Sequence, residues 1–243
     1  MSNSPTEQLS TVGVSIWLDD LSKDRLATGS LKSLMDTHNV VGVTSNPTIF
    51  ASAVTGSDSY RQGITEMASA GVAAEEAVFE IMISDVQGAC DLMRGVFEET
   101  SGLDGRVSLE VSPLLAHDTA GTIAQAKELW ARVDRPNLMI KIPATLAGLP
   151  AITEVLAAGI SVNVTLIFSL ARYSEVIDAY FAGVQKALGA GLDISQIRSV
   201  ASFFVSRVDS AIDSQLDALG TLAATSLRSQ AAIANARLAY ELW

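Results

Sequence analysis

The sequence contains one cysteine, only two histidines and few basic residues, and each scarcity excludes a class of site. With Cys90 alone, no intrachain disulfide can form, and zinc sites rich in cysteine are excluded. The expected compartment is therefore the reducing cytoplasm. His38 and His117 lie far apart along the chain, which argues against a Ser-His-Asp hydrolase and against a histidine-rich metal site.

Positive charge is also scarce, because 16 basic residues stand against 27 acidic ones for a formal net charge of −11. Nucleic-acid surfaces and patches that bind anionic membranes need clustered lysine and arginine, so we expect neither kind of partner. A small phosphorylated ligand remains compatible with this charge, since one well-placed arginine can bind a phosphate inside an acidic protein.

Long apolar runs are absent, and none approaches the ~18 residues that a membrane span requires. The opening stretch, MSNSPTEQLS, has neither the basic nor the apolar region of a signal peptide, so none is expected. What the sequence does have is a globular composition, with 49% hydrophobic and 18% charged residues over 243 positions. This length fits one large domain or one α/β barrel.

Short β-rich runs alternate with longer helical patterns along most of the chain, and several of these runs are apolar nearly throughout. Such runs are typical of parallel strands covered on both faces, and the alternation predicts an α/β fold. Six strands are predicted, at residues 14–19, 42–46, 107–111, 138–142, 160–167 and 200–205. The clearest helical patterns cover residues 118–133, 170–188 and 207–218.

Residues 47–104 break the alternation, because two helical patterns follow each other there without a strand, split near residues 69–74. They are interpreted as an inserted helix pair after strand two. A (β/α)8 barrel needs eight strands, whereas six are found here. The prediction is a single, incomplete α/β-barrel domain over residues 1–243 that lacks its C-terminal part. Exposed sheet edges in such a chain would favour self-association.

Polar residues gather where the predicted strands end, and in barrels of this class the active site lies at the carboxyl ends of the strands. Residues two apart on a strand share a face, which joins Asn163 to Thr165, Ser108 to Glu110 and Ser202 to Phe204. The polar residues at the six strand ends are, in chain order, Asp19 and Asp20, Ser45 and Asn46, Glu110, Lys141, Asn163 and Thr165, and Ser202 followed by Arg207.

Each of these residues also has a purely structural interpretation. Lys141, one of only five lysines, would be a buried lysine paired with Glu110. The Asp19–Asp20 pair would form a turn or a helix cap, and Asn46 would cap a helix that starts at Pro47. Asn163 and Thr165 would be a satisfied polar pair, Arg207 would cover a helix face, and His117 would be a loop residue. Only their coincidence at one rim favours a functional site.

A buried lysine with nearby carboxylates has a definite chemical use. Burial disfavours the ammonium form of a lysine, and the neutral amine can attack a ketone to form a Schiff base. The iminium then serves as an electron sink that allows an adjacent carbon–carbon bond to break. One carboxylate must take the proton from the hydroxyl at the bond being cleaved, and a second acid or base must handle the water lost on imine formation. Asp19, Glu110 and Thr165 can supply these groups.

These residues lie in segments that resemble the transaldolase family. The match is most specific in GVTSNPTIF (42–50) and LMIKIPATLAGL (138–149), the latter around the lysine. The other segments that resemble the family, in its order, are SVNVTLIFS (161–169), SFFVSRVD (202–209) and, more loosely, SLEVSP (108–113) and IWLDDLS (16–22). The opening segment and the extra helices look most like the longer, actinobacterial-type members.

The resemblance implies a role for each matching residue. Lys141 would form the Schiff base, Asp19 would be the general acid/base for the C4 hydroxyl, and Glu110 with Thr165 would activate the water. The residues implied to bind the sugar phosphate are Asn46, Asn163, Ser202, Phe204 and Arg207, the last holding the phosphate. Asp19 is preferred to Asp20 only by the resemblance; the sequence itself leaves both open.

The family transfers a dihydroxyacetone unit from fructose 6-phosphate or sedoheptulose 7-phosphate to an aldose phosphate, in the non-oxidative branch of the pentose phosphate pathway. The resemblance implies this transferase activity and no metal or organic cofactor. The last two barrel strands have no counterpart here, so activity of this chain is a separate question. The alternatives are a fructose-6-phosphate aldolase, a sugar-phosphate isomerase on the same fold, and an inactive fragment that acts as a binding or assembly module.

Overall fold

The computed structural model describes residues 4–243, except for the side chain of Ile49. Residues 1–3 lie outside the described range, and they belong to the opening stretch (residues 1–10) in which no signal peptide is expected. The six strands are β1 (Ile16–Asp19), β2 (Val40–Thr44), β3 (Arg106–Glu110), β4 (Leu138–Pro143), β5 (Val162–Ile167) and β6 (Ser199–Phe203). The sheet order follows the chain, β1-β2-β3-β4-β5-β6, and β1 with β2, β2 with β3, β3 with β4 and β5 with β6 pair in parallel, which confirms the predicted α/β class.

Twelve α-helices occupy the connections within the described residues. They are α1 (Pro5–Thr11), α2 (Lys23–Ala27), α3 (Ser30–His38), α4 (Pro47–Gly56), α5 (Arg61–Ser69), α6 (Ala74–Glu99), α7 (Thr119–Val133), α8 (Gly148–Ala157), α9 (Leu170–Gly189), α10 (Ser206–Leu219), α11 (Leu222–Ser226) and α12 (Ala231–Leu242). Short 3₁₀ turns lie at Asp58–Tyr60, Pro113–Leu115 and Ile194–Gln196. None of these helices is long and apolar enough to cross a membrane.

All six predicted strands are present, and their shifted ends have local causes. β1 begins two residues late because the Val14 N–H donates to the carbonyl of Leu9 at the end of α1. β2 ends at Thr44 because Asn46 already accepts the first helical bond of α4, from the Phe50 N–H. β6 ends at Phe203 because the Val205 carbonyl accepts the first bonds of α10.

The segment between β2 and β3 contains three α-helices rather than two. The predicted split near residues 69–74 lies between α5 and α6, at residues 70–73. A second break follows Gly56, where the Ser57 hydroxyl accepts the Ser59 N–H and starts the 3₁₀ turn Asp58–Tyr60. Whether residues 47–104 are an insertion into a single domain stays a prediction.

The chain divides into two compact units, with the division falling inside β4. Unit 1 consists of the residues up to Pro113 together with Ala124–Lys141, and unit 2 consists of Leu114–Ile123 and Ile142–Trp243. In unit 1 the long helix α6 packs on β3 and carries a stripe of buried apolar residues at helical spacing: Phe79, Met82, Ile83, Val86, Ala89, Cys90 and Met93. In unit 2 α8 packs on α9, where Gly183 leaves no room for a Cβ against Leu156.

Strand burial changes along the sheet order. β4 is buried throughout and β3 and β5 nearly so, whereas the terminal strands β1 and β6 are only half-buried. In unit 1, Gly42 of β2 is required by β1, because a Cβ at Gly42 would lie 2.4 Å from the indole of Trp17. The Trp17 ring therefore covers the backbone of β2 two residue pairs before Asp19 and Thr44.

Candidate active site

Lys141 lies near the carboxyl end of β4, a strand whose other residues are apolar and buried. Its side chain is only 7% exposed. The Nζ atom donates a hydrogen bond to the main-chain oxygen of Ser45 at 3.2 Å and lies 3.4 Å from Oε2 of Glu110. The lysine is thus held by two oxygen acceptors in a largely desolvated position.

Glu110 is the last residue of β3 and pairs with Lys141 in register across the two strands. Side chains of residues paired in this way project from the same face of the sheet. The Glu110 side chain is 14% exposed, so a carboxylate and an ammonium group are withdrawn from water together. The contact between Lys141 and Glu110 therefore fits both interpretations, a structural ion pair and a pair of catalytic groups.

The structure separates the two candidate aspartates after β1. Asp20 forms an ion pair with Arg25 of α2, and the same guanidinium donates to the Ser30 hydroxyl. Asp19 is exposed, and within the described residues its carboxylate has no ion pair. Asp19 pairs in register with Thr44, whose β3 partner is Ser108, two residues before Glu110. The strand register therefore directs Asp19, and not Asp20, to the face of Lys141 and Glu110.

Ser45 and Asn46 connect β2 to α4. Ser45 is fully buried, and its hydroxyl donates to the main-chain oxygen of Ser108 at 2.8 Å. Asn46 is half-buried and occupies the capping position before Pro47, as its structural interpretation predicts. The same main-chain segment thus carries the carbonyl that binds Lys141 and the amide side chain predicted to bind substrate.

In unit 2 the polar residues of β5 and β6 form a second cluster. Asn163 and Thr165 are each 1% exposed. Ser202 of β6 donates its hydroxyl proton to Oδ1 of Asn163 at 2.9 Å. This bond fixes the orientation of the Asn163 amide, whose Nδ2 group is the donor end of the side chain. This bond joins two of the polar residues that were predicted at the strand ends, whereas the suggested Asn163–Thr165 pair stays a prediction.

β5 contains a bulge directly after Thr165. Val164 pairs with Ala201 and Ile167 pairs with Phe203, so β5 has one residue more than β6 over this interval. Leu166 accommodates the extra residue with a left-handed backbone, φ 62°, which is rare for a residue with a side chain. The Thr165 main-chain oxygen meanwhile accepts the Ala144 N–H at 2.8 Å. Strained backbone of this kind often marks functional sites.

Phe204 and Arg207 lie beyond the carboxyl end of β6. The Phe204 ring stacks on Phe168, with ring centroids 4.9 Å apart, and the Phe204 N–H donates to the Ile167 carbonyl at 3.0 Å. The Arg207 guanidinium carbon lies 4.7 Å from the centroid of the Phe204 ring. Arg207 is exposed in the first turn of α10, and no side chain caps that helix. An arginine at an uncapped helix N-terminus is suited to bind an anion.

Sequence reasoning missed Ser45 as a partner of Lys141, because a main-chain carbonyl leaves no signal in the residue type. It also missed Thr44, whose buried hydroxyl oxygen has no hydrogen-bond partner within residues 4–243. His117 is exposed in the loop before α7, as expected for a loop residue. Over the described part of the chain, no group of three or more His, Cys, Asp or Glu side chains is arranged to hold a metal ion.

Comparisons with known proteins identify the group to which these motifs belong. The family model for transaldolase/fructose-6-phosphate aldolase matches residues 16–243. Transaldolase 1 of Streptomyces coelicolor is 59% identical over 98% of this chain and 62% of its own length. The transaldolase of Frankia alni is 58% identical over 99% of this chain and 65% of its own, and that of Thermobifida fusca is 58% identical over 98% and 64%. This chain therefore spans less than two thirds of the length of these relatives.

Both the breadth of the family match and the identity to these relatives are far above what a shared fold alone requires. The chain belongs to the transaldolase/fructose-6-phosphate aldolase family.

Proposed function

We propose that this protein is a transaldolase that transfers a three-carbon dihydroxyacetone unit from a ketose phosphate to an aldose phosphate through a Schiff base on Lys141. The observation that carries the proposal is the position of Lys141, buried near the carboxyl end of β4 with the Ser45 carbonyl and the Glu110 carboxylate at its Nζ. A lysine that served stability alone would gain little there, because a buried ion pair is often no more stable than apolar side chains of the same volume.

The first step uses the neutral amine of Lys141. Its lone pair attacks C2 of fructose 6-phosphate, the C–N bond forms, and the carbonyl electron pair moves to the oxygen, which takes up a proton. The resulting carbinolamine loses this oxygen as water, and the nitrogen lone pair completes the C=N bond of the iminium. Glu110, whose Oε2 lies 3.4 Å from Nζ, is placed to receive the proton that the nitrogen loses and to return one to the departing hydroxyl.

The second step breaks the bond between C3 and C4. Asp19 takes the proton of the C4 hydroxyl, the oxygen electrons form the aldehyde of glyceraldehyde 3-phosphate, and the C3–C4 electron pair moves into the iminium to give an enamine. Asp19 suits this role because it is exposed and unpaired within the described residues, whereas Asp20 is occupied by Arg25. The enamine then attacks the aldehyde carbon of erythrose 4-phosphate, whose oxygen takes the proton back from Asp19 as the new carbon–carbon bond regenerates the iminium. Water adds to this iminium, and the C–N bond breaks to release sedoheptulose 7-phosphate and the free amine of Lys141.

The polar residues of unit 2 and Asn46 would bind the substrate. Asn163, oriented by Ser202, is proposed to hydrogen-bond the hydroxyls of the dihydroxyacetone unit, as is Asn46. Thr165 is proposed to assist the water steps together with Glu110. Arg207, exposed over the Phe204 ring, is proposed to hold the phosphate. These assignments rest on the family resemblance and on the local geometry within each unit.

The reaction itself is the test of this proposal. The chain is incubated with fructose 6-phosphate alone and with erythrose 4-phosphate added, and the products are quantified by liquid chromatography and mass spectrometry. Transaldolase activity predicts sedoheptulose 7-phosphate only when the acceptor is present. Release of free dihydroxyacetone without an acceptor would instead indicate an aldolase. Absence of both products would show that this chain does not carry the activity.

A further inference from the structure

β2 and β3 are hydrogen-bonded to each other one residue beyond the end of their backbone pairing. The backbone pairing ends with Thr44 opposite Ser108. The next residue, Ser45, is nevertheless tied to the same strand, because its hydroxyl donates to the Ser108 main-chain oxygen at 2.8 Å. Ser45 is fully buried, so this bond is shielded from competition with water. The side chain of Ser45 therefore fixes a peptide that the sheet itself does not hold.

That peptide contributes one of the two acceptors around Lys141. The Ser45 carbonyl oxygen accepts from Nζ at 3.2 Å, and Oε2 of Glu110 lies 3.4 Å from the same atom. A neutral lysine amine has two N–H bonds and one lone pair in a tetrahedral arrangement. When two fixed acceptors engage the two N–H bonds, the lone pair can point only in the remaining direction. The two oxygens together thus decide where the nucleophile is aimed.

We infer that Ser45 is a positioning residue for Lys141: its hydroxyl, bonded to Ser108, fixes the Ser45 carbonyl, and this carbonyl orients the lysine amine for attack. This inference rests on the proposed Schiff-base function. Ser45 acts through the peptide group and not on the substrate, so removing its hydroxyl slows formation of the C–N bond without weakening the binding of the ketose. Orientation of this kind contributes to rate because attack requires alignment of the reacting atoms.

A purely structural role predicts a different outcome. If the Ser45 hydroxyl served only to join β2 to β3, its loss would lower the thermal stability but leave the reactivity of Lys141 in the folded protein unchanged. The variants that separate these roles are Ser45→Ala, Ser45→Cys and Ser45→Thr. Cysteine nearly preserves the size of the side chain but is a weak donor, whereas threonine keeps the hydroxyl. Ser161→Ala is the matched control, because Ser161 is 2% exposed and its hydroxyl accepts the Arg198 N–H.

The first measurement is the rate at which borohydride traps the adduct formed on Lys141 from fructose 6-phosphate, as a function of ketose concentration. We expect the maximal rate to fall about tenfold in Ser45→Ala and Ser45→Cys, with the half-saturating concentration within twofold of wild type. Ser45→Thr restores the maximal rate, and Ser161→Ala leaves it unchanged. Melting temperatures identify the variants that are folded at the assay temperature. Maximal rates equal to wild type in folded Ser45→Ala and Ser45→Cys would overturn the inference.

The second measurement needs no ketose and separates this inference from the proposed function. Trace acetic anhydride acylates neutral amines, and peptide mass spectrometry gives the labelling of Lys141 relative to the exposed Lys186. We expect Ser45→Ala to lower this ratio at least threefold and Ser45→Thr to restore it. If the wild-type protein forms no ketose adduct but Ser45→Ala still lowers the labelling ratio, the proposed function is refuted and the positioning role stands. An unchanged ratio would overturn the positioning role even if the adduct forms.

Discussion

The Glu110 carboxylate and the Lys141 ammonium group face each other across neighbouring parallel strands, with Oε2 and Nζ 3.4 Å apart. Both side chains are mostly buried, so neither charge is well solvated without the other. The pair therefore has two consequences. It places a polar site at the carboxyl end of β4, and it makes the stability of the sheet depend on both residues.

The first prediction concerns this coupling. Because a buried charge that loses its partner is strongly destabilising, Glu110→Gln should lower the free energy of unfolding by about 3 kcal/mol. Adding Lys141→Met removes the uncompensated charge, so the double variant should be more stable than Glu110→Gln alone. Urea denaturation of the wild type, Glu110→Gln, Lys141→Met and the double variant measures the free energies of unfolding. Strictly additive losses from the two substitutions would show that the contact carries no coupling energy.

Arg207 provides a test of phosphate binding. Because its guanidinium is exposed at the uncapped start of α10, Arg207→Ala should weaken the binding of fructose 6-phosphate at least tenfold. Binding of dihydroxyacetone, which has no phosphate, should be unaffected, and Arg207→Lys should lie in between. Isothermal titration with both ligands gives these affinities. Equal weakening for both ligands would remove Arg207 from the phosphate site.

The contact between Trp17 and Gly42 leads to a prediction about packing between β1 and β2. A Cβ at position 42 would lie 2.4 Å from the Trp17 indole, so Gly42→Ala should cost about 2 kcal/mol of stability and shift the indole. Adding Trp17→Ala should relieve the clash, making the double variant more stable than the sum of the single losses predicts. Equilibrium denaturation monitored by circular dichroism measures the stability of the single variants and of the double variant. Full stability of Gly42→Ala would show that the ring does not occupy this position.

Asp85 predicts a pH dependence of stability within unit 1. Burial raises the pKa of the Asp85 carboxyl, although its hydrogen bond from the Tyr60 hydroxyl, 2.6 Å long, acts in the opposite direction. A raised pKa in the folded state means that the folded protein binds this proton more tightly than the unfolded chain. The stability contributed by Asp85 is therefore present below the ordinary carboxyl pKa of 3.8 and is lost as the pH rises through the higher folded value.

Asp85→Asn should accordingly gain stability relative to wild type as the pH is raised from 4 to 7, because asparagine retains an acceptor for Tyr60 but has no charge to desolvate. Denaturation curves at several pH values measure this difference. Tyr60→Phe is the companion variant and should be destabilised by about 1–3 kcal/mol, since Tyr60 also accepts the Lys23 N–H. A wild-type and Asp85→Asn difference that does not vary with pH would contradict the account.

Periodicity was sufficient to predict the six strands and the α/β class, because buried parallel strands such as β4 are apolar nearly throughout and are followed by helical patterns. Family membership confirms the (β/α)8-barrel class to which these six strands were assigned. The ends of elements were less accurate, because they depend on individual hydrogen bonds. The break between α4 and α5, for example, depends on the hydroxyl of Ser57, and serine is common in both helices and turns.

The residues of the candidate site, like the elements of the fold, were only partly predictable from the sequence. Lys141 and Glu110 could be placed together because each is a polar residue that interrupts or ends an apolar strand. The sequence itself could not separate Asp19 from Asp20; the register of β1 with β2 and the ion pair of Asp20 with Arg25 favour Asp19, whose role stays a prediction. The Ser45 carbonyl and the left-handed Leu166 could not be predicted, since both are properties of the backbone and not of the side chain.

The most direct test of the account is to locate the covalent adduct. The chain is incubated with fructose 6-phosphate, reduced with borohydride, digested and analysed by mass spectrometry, with Lys141→Arg as the control. Schiff-base formation by Lys141 predicts a three-carbon adduct on this residue in the wild-type chain and none in the variant. A wild-type chain without an adduct on Lys141, or with the adduct on another lysine, would contradict the assignment of Lys141 as the Schiff-base residue.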